Sequence, residues 1–246
     1  MFFIPQIMKQ NYKHYTQEEQ LIWKLLFKRQ QQNLLEKASE VYNNCLHTLS
    51  PCLNAESIPN FDELNRLFKK HTSWQIQVVP GLIPVDEFFD LLAEKKFCSS
   101  SWLRTREQID YLEEPDMFHD IFGHIPLLIN PTFSKFAQEF GKLGQQFKAN
   151  EEILVKLQRI YWFTIEFGLI RENGELKVYG AGIASSYGET NHIFISDLQH
   201  LAYDIHEVMD CQFHTDRIQD KYFVIESFED LINSIQELTI KLKKTA

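Results

Sequence analysis

The sequence predicts one mainly α-helical domain with a few short β-strands. Three observations lead there. Apolar residues recur at helical spacing along most of the chain. Only brief stretches alternate in the manner of a strand. No repeat, low-complexity segment or clear linker divides the 246 residues. At 44% hydrophobic residues the chain can bury a sizeable core, and its 20 Phe, 9 Tyr and 4 Trp can also line a pocket for an aromatic ligand.

Taken in order, residues 16–49 read as a long helix that Thr16 can cap, with Leu21, Leu25, Leu34, Leu35 and Val41 at helical spacing. Ser, Pro and Asn make 50–60 a loop. A short helix is expected at 61–71, and WQIQVVP (74–80) alternates as a strand. Pro84 suits the first turn of a helix running to about Lys96. SSSWLR reads as extended, followed by helices at about 113–122 and 130–147. Asn150 can cap a long helix through Ile170, with Glu151 and Glu152 at its positive end. ENGE (172–175) is a turn, and LKVYG and YFVIES are strands. The tail from Phe228 is helical. Its Phe228, Leu231, Ile235, Leu238 and Leu242 form either a coiled-coil seam or a face packed on the parent domain, and two heptads favour packing.

Charge and cysteine usage exclude several classes. The net charge of −9 and the absence of a basic stripe argue against nucleic-acid or anionic-membrane binding. No apolar run approaches the ~18 residues of a membrane span, and the start lacks the charged region of a signal peptide. The four cysteines form no CxxC pair, so free thiols and a cytoplasmic location are expected.

The stretch MFHDIFGHIP (117–126) carries the chemistry. His119 and His124 are five apart, where helical zinc hydrolases space their pair by four. On an ideal α-helix five residues leave the two about 140° apart. Gly123 can end a helix, and Ile125, preceding Pro126, is expected outside the α region. The helix should therefore stop near Phe122 or Gly123, with His119 in its last turn and His124 just beyond. Two nearby histidines are ordinarily surface or satisfied core residues, so a shared metal needs a third donor. Glu166, within the apolar YWFTIEFG (161–168), is costly to bury unless paired or metal-bound. Two histidines and a carboxylate suit non-haem Fe(II) and also catalytic zinc, and spacing does not decide between them.

EEPDMFHDIFGHIPLL, IYWFTIEFGLI and YGAGIASSYGE together resemble the tetrahydropterin-dependent aromatic amino acid hydroxylases, in the family's order and approximate separations. VPGLIPVDEFFDLLAEKKF and YFVIESFEDL look like family segments too, so the resemblance runs from about Trp74 to the C-terminus. It implies a single helical-basket catalytic domain over 1–246, with 1–15 a flexible segment and no regulatory domain. It implies Fe(II) held by His119, His124 and Glu166 as the catalytic centre. A tetrahydrobiopterin or related tetrahydropterin would supply two electrons, and O2 would be the co-substrate, one oxygen atom entering the substrate ring. Gly81, Leu82, Ile83, Phe88, Asp120 and Tyr161 match pterin-side positions. Asp120 stands where many members have Glu, reaching the pterin through water.

On the substrate side, Arg104 matches the arginine holding the substrate carboxylate and Asp116 the acid that braces it. Tyr111, Pro115, Trp162 and Phe167 match pocket positions, and Ser185 matches a serine orienting an iron-bound histidine. Leu112 and Cys98 depart from the threonine and histidine of animal members, so those roles do not carry over. The short bacterial members are the nearest pattern. L-Phenylalanine, hydroxylated to L-tyrosine by a monomer or dimer, is the expected substrate, with 213–218 contributing to the choice. Tyrosine or tryptophan hydroxylation is the alternative within the family, and a non-catalytic metal or aromatic-ligand binding domain is the alternative outside it.

Overall fold

The structure is a computed structural model that describes residues 8–195, 198–215 and 217–245. The first half of the expected N-terminal segment, 1–7, and residue 216 of the 213–218 stretch lie outside the described residues. Helix α1 (Gln17–Leu34) begins in a reciprocal capping box between Thr16 and Glu19. The long helix read over 16–49 is in fact two helices, because tertiary pairing interrupts it. Ser39 donates its N–H to the Val178 carbonyl, while Val178 donates to Lys37. Those backbone groups are thereby lost to a continuous helix, and Ser39 caps a new one, α2 (Glu40–Leu49).

α3 (Phe61–His71), capped by Asn60, matches the expected helix end for end. β1 (Gln75–Val78) then pairs in parallel with β2 (Lys96–Ser99) across α4 (Val85–Ala93). Chain reversal into β2 uses Lys95 at a φ of 58°. Helix α5 (Pro131–Gln146) follows its Asn130 cap, and α6 (Glu151–Tyr161) follows Asn150. The helix read through Ile170 gives way earlier, because Leu169 and Ile170 pair with Val224 and Ile225 as strand β3 (Leu169–Glu172). β3 and β4 (Glu175–Val178) make a hairpin whose Asn173–Gly174 corner has φ of 53° and 83°, the positive values a two-residue turn requires.

Short helices α7 (Ala181–Ser185) and α8 (Tyr187–His192) lead to β5 (Gln199–Ala202), α9 (Ile205–Asp210) and β6 (Lys221–Ile225). The four strands lie in the order β4-β3-β6-β5. The last helix, α10 (Phe228–Thr245), packs its apolar face onto the domain: Leu231 and Ile235 are fully buried, and Phe228 meets Phe133 of α5 at 5.6 Å between rings. The parent-domain alternative is therefore the correct one for the tail. Among the described residues no helix is long and apolar enough to cross a membrane.

The buried side chains form one contiguous cluster from Ile22 to Leu238. Its tightest seam lies between α4 and α5, where Gly141 lets the helix backbones approach and a Cβ on Gly144 would overlap the Phe89 ring. Phe89 is itself 2% exposed and cannot swing away. Gly144→Ala is expected to cost about 1–3 kcal/mol from overpacking, despite alanine's better helix propensity. A thermal midpoint equal to wild type would show that the seam gives way freely.

Candidate functional site

The two histidines reach one point by a different route from a helix end. The chain from Met117 enters a π-helical turn spanning His119–His124, and a second π turn spans Trp162–Glu166. A π turn bonds residues five apart, as Phe167 N–H does to the Trp162 carbonyl at 2.8 Å. An HxxxxH pair therefore lies on one side of the helix, and the two ring centroids are 4.9 Å apart. Gly123 does not end the helix. Ile125 keeps helical angles, φ −62° and ψ −38°, and the chain continues into a tight turn over Pro126–Ile129. The pre-proline preference is outweighed here by packing, since Ile125 is wholly buried. Gly123 instead admits α7, because a Cβ there would lie 2.8 Å from the Ala181 carbonyl oxygen.

Both wide turns are braced from outside their own ladders. Tyr42 of α2 donates its hydroxyl to the Phe122 carbonyl at 2.6 Å. The Thr164 hydroxyl bonds back to the Ile160 carbonyl. These contacts satisfy backbone groups that the irregular ladder would otherwise strand.

The donor atoms converge. His124 Nε2 lies 3.1 Å from His119 Nε2 and 3.0 Å from Glu166 Oε1, and His119 Nε2 is 3.6 Å from Glu166 Oε2. All three ligand atoms lie within 4.8 Å of one another. Ser185 decides the His119 tautomer. Its hydroxyl donates to the Ala181 carbonyl at 2.8 Å, so at 2.9 Å from His119 Nδ1 it accepts that nitrogen's proton. The Nε2 lone pair is then left facing Glu166 and His124. Ser185→Ala is expected to weaken divalent-metal affinity about 10- to 100-fold while leaving all three donors in place. An unchanged dissociation constant by metal titration would deny Ser185 this orienting role.

Protonation favours a cation at this point. Burial holds the His119 imidazole down at about 4, outweighing the Glu166 charge that raises it. Burial alone would raise the Glu166 carboxyl, but the two imidazoles outweigh it and hold the group at about 2. A neutral His119 beside an ionised, buried Glu166 is a donor set a divalent cation completes. The residues present therefore fit a metal.

The second cluster is Arg104 and Asp116. Asp116 is wholly buried and accepts from Arg104 Nε at 2.9 Å, from Arg104 Nη2 at 2.8 Å, and from the backbone N–H of Arg104 and of His119. Arg104 Nη1 makes a longer contact, 3.4 Å, to the Ile109 carbonyl. One proton each on Nη1 and Nη2 stays uncommitted, the pair a carboxylate takes in bidentate fashion. Because Asp116 also holds the His119 backbone, the arginine and the histidine turn share one brace.

A cavity of about 370 Å³ opens beside the His119–His124–Glu166 cluster. Gly81, Leu82, Ile83, Phe88, Asp120 and Tyr161 all line it, as do Pro115, Trp162 and Phe213. Phe88 and Tyr161 meet edge to face at 5.1 Å. Asp120 is pushed up to about 7 by burial, against the Ser100 N–H that it accepts at 2.8 Å. Asp116, Ser185 and Phe167 stand behind the wall: Asp116 bears on Arg104, Ser185 on His119, and Phe167 on Trp162 at 4.6 Å. Tyr111 lies outside the lining on an exposed irregular segment, 71% accessible. Of the 213–218 stretch, Phe213 lines the cavity, and Ile218 is exposed.

Sequence reasoning missed Phe97, which lines the cavity and lies 4.5 Å from the His124 ring. The four-residue strand β2 that carries it alternates half-buried and buried. Such alternation in KFCS is too short to separate from the end of a helix. Gln158 and Phe140 were missed for another reason: they sit on ordinary amphipathic helices, where a lining residue and a core residue look alike.

A mainly helical domain enclosing two histidines and a carboxylate beside an aromatic cavity fits the class of mononuclear non-haem metal oxygenases, and likeness to known proteins decides for it over a zinc site with the same donors. A profile described as biopterin-dependent aromatic amino acid hydroxylase matches residues 6–246, and the chain belongs to that family. It is 42% identical over 228 residues to phenylalanine-4-hydroxylase of Ralstonia nicotianae, covering 92% of this chain and 72% of the relative. The Chromobacterium violaceum phenylalanine hydroxylase structure with iron(III) and 7,8-dihydrobiopterin superposes with a TM-score of 0.90 at 37% identity, over 98% of this chain and 87% of that one. The iron- and phenylalanine-bound structure of the same enzyme gives 0.87 at 36%, over 96% and 87%.

Proposed function

We propose that this chain, acting as one catalytic domain, hydroxylates L-phenylalanine to L-tyrosine using O2 and a tetrahydropterin at Fe(II). The observation that carries the reading is the convergence of His119, His124 and Glu166 on the cavity that the expected pterin-side residues line. The names of the relatives support phenylalanine as substrate.

Iron(II) and the pterin, when bound, supply the electrons that allow one oxygen atom of O2 to enter the ring. The chain's own groups bind, orient and exclude water. His119, His124 and Glu166 would hold the iron, a donor set of two imidazoles and a carboxylate that leaves coordination positions for other ligands. Phe88 offers its face to a pterin ring, and the backbone at Gly81, Leu82 and Ile83 offers hydrogen bonds to its edge. Asp120 stands ready to hold a proton on the pterin side. Arg104 takes the amino-acid carboxylate on its two uncommitted protons, and Trp162, Pro115 and Phe213 hold the aromatic ring. Apolar walls limit the access of water to the reacting centre. Four free thiols suit a reducing cytoplasm, and we assign a monomeric or dimeric enzyme there, with neither nucleic acid nor membrane as partner.

The test supplies Fe(II), O2, a tetrahydropterin and each of Phe, Tyr and Trp, and identifies the product. Tyrosine from phenylalanine is expected as the preferred reaction. No pterin-dependent product from any of the three would overturn the reading, and preferred oxidation of Tyr or Trp would overturn the substrate alone.

A further inference from the structure

We infer that Gln219 is a positioning residue that sets the size of the aromatic-ring subsite by locking the Trp162 indole. The inference rests on the functional reading above. Trp162 lines the cavity and packs against two further rings, stacked on Phe213 at 4.6 Å and tilted against Phe167 at 4.6 Å. Ring stacking resists separation of the rings but leaves sliding and rotation in the plane soft. Direction comes from one hydrogen bond: Trp162 Nε1–H donates to Gln219 Oε1 at 3.1 Å.

The Gln219 amide has a single usable orientation. Its Nε2 donates to the His214 carbonyl at 2.7 Å and to the Arg217 carbonyl at 3.0 Å, and both of these can only accept. The amide oxygen is thereby forced toward the indole N–H, which can only donate. Gln219 is 4% exposed, so water does not compete for these bonds. The Tyr222 hydroxyl gives its one proton to Glu189 at 2.7 Å and lies 3.3 Å from the Gln219 carbonyl, so Tyr222 packs beside this backbone. One side chain thus joins the segment that carries Phe213 to the turn that carries Trp162 and Glu166. A ring that needs more room on the Trp162 side of the cavity must displace the indole, and Gln219 opposes that.

Gln219→Leu keeps the bulk and removes all three side-chain bonds. The folded variant is expected to raise kcat/KM for tryptophan relative to phenylalanine about tenfold, within the range a hydrophobic pocket discriminates. It is also expected to form less product per pterin oxidised. In a Trp162→Phe background the same substitution is expected to do nothing more, because the partner N–H is gone. Gln219→Met serves in place of leucine should the first variant not fold, with the same outcomes. An unmoved substrate ratio in a folded Gln219 variant overturns the inference, and so does full additivity with Trp162→Phe. A wild-type protein that turns over no aromatic amino acid removes the functional reading and this inference together. A wild type active on phenylalanine with an unmoved variant ratio removes Gln219 alone.

Discussion

Alanine at His119, His124 or Glu166 is expected to abolish retained iron and, with it, all hydroxylation. The three donors lie within 4.8 Å of one another, and each contributes a different part of the site. Glu166 brings the one negative charge, and removal leaves two imidazoles to hold a dication. His119 brings a nitrogen whose tautomer Ser185 determines. His124 is the nearer histidine to Glu166 and links the two π turns at 3.0 Å. Losing a donor outright should therefore exceed the ~10- to 100-fold penalty of losing a residue that only orients one. The fold is expected to survive, because the surrounding core, with Phe118, Phe122 and Ile121 essentially fully buried, does not depend on these side chains. The measurement is iron content after reconstitution with Fe(II) and desalting, beside a thermal midpoint. Full iron in any one variant would remove that residue from the metal centre.

Breaking the Arg104–Asp116 pair is expected to have the second largest effect, and to strike stability and binding separately. Asp116→Ala leaves a nearly buried guanidinium without its bidentate partner, a loss of about 3–5 kcal/mol in unfolding free energy. It also frees the His119 N–H that Asp116 accepts. Arg104→Lys retains the charge and loses the fork. For that variant we expect kcat/KM for phenylalanine to fall about 10- to 100-fold, the equivalent of a charge-assisted hydrogen bond, mostly through KM. An unchanged KM would show that the amino-acid carboxylate is held elsewhere.

Acid gives a further reading of the same pair. Burial by itself raises the Asp116 carboxyl, but the hydrogen bonds and charge of Arg104 and the His119 N–H outweigh it and hold the group below its ordinary value. A carboxyl depressed on folding stabilises the chain above its unfolded pKa of about 3.9, and that contribution is lost as pH falls through the folded value. Metal-free wild type is therefore expected to lose stability below about pH 4 more steeply than Asp116→Asn, which lacks this titration. Parallel curves in denaturant titrations across that window would contradict the assignment.

Part of the site was legible from residue chemistry: two histidines and a carboxylate inside an apolar run marked a possible metal centre. Arg104, Asp116 and the pterin-side residues were legible only through the family resemblance, because no local pattern sets them apart from structural residues. Helices with clear caps were equally legible: Thr16 and Asn150, read as caps, each accept a first-turn N–H, and the structure adds Asn60 and Asn130 in the same role. Elements that depend on distant partners were not. β3 reads as the end of a helix until β4 and β6 pair with it, and the break at Lys37–Ser39 exists because Val178 arrives there. Gln219 carries no local signal, since its role lies in what stands 57 residues away.

The five-residue spacing shows the division most clearly. By itself the sequence determined which donors the chain carries and that they are mutually compatible, because donor chemistry belongs to residue type. It also determined that an ideal α-helix would hold His119 and His124 apart. Only the tertiary structure decided how they meet. A π turn is a poor local choice, and it persists here because Tyr42 satisfies a carbonyl of the wide turn and Gly123 lets α7 close against it. Those contacts join segments far apart in the chain, and no local pattern of residues encodes them.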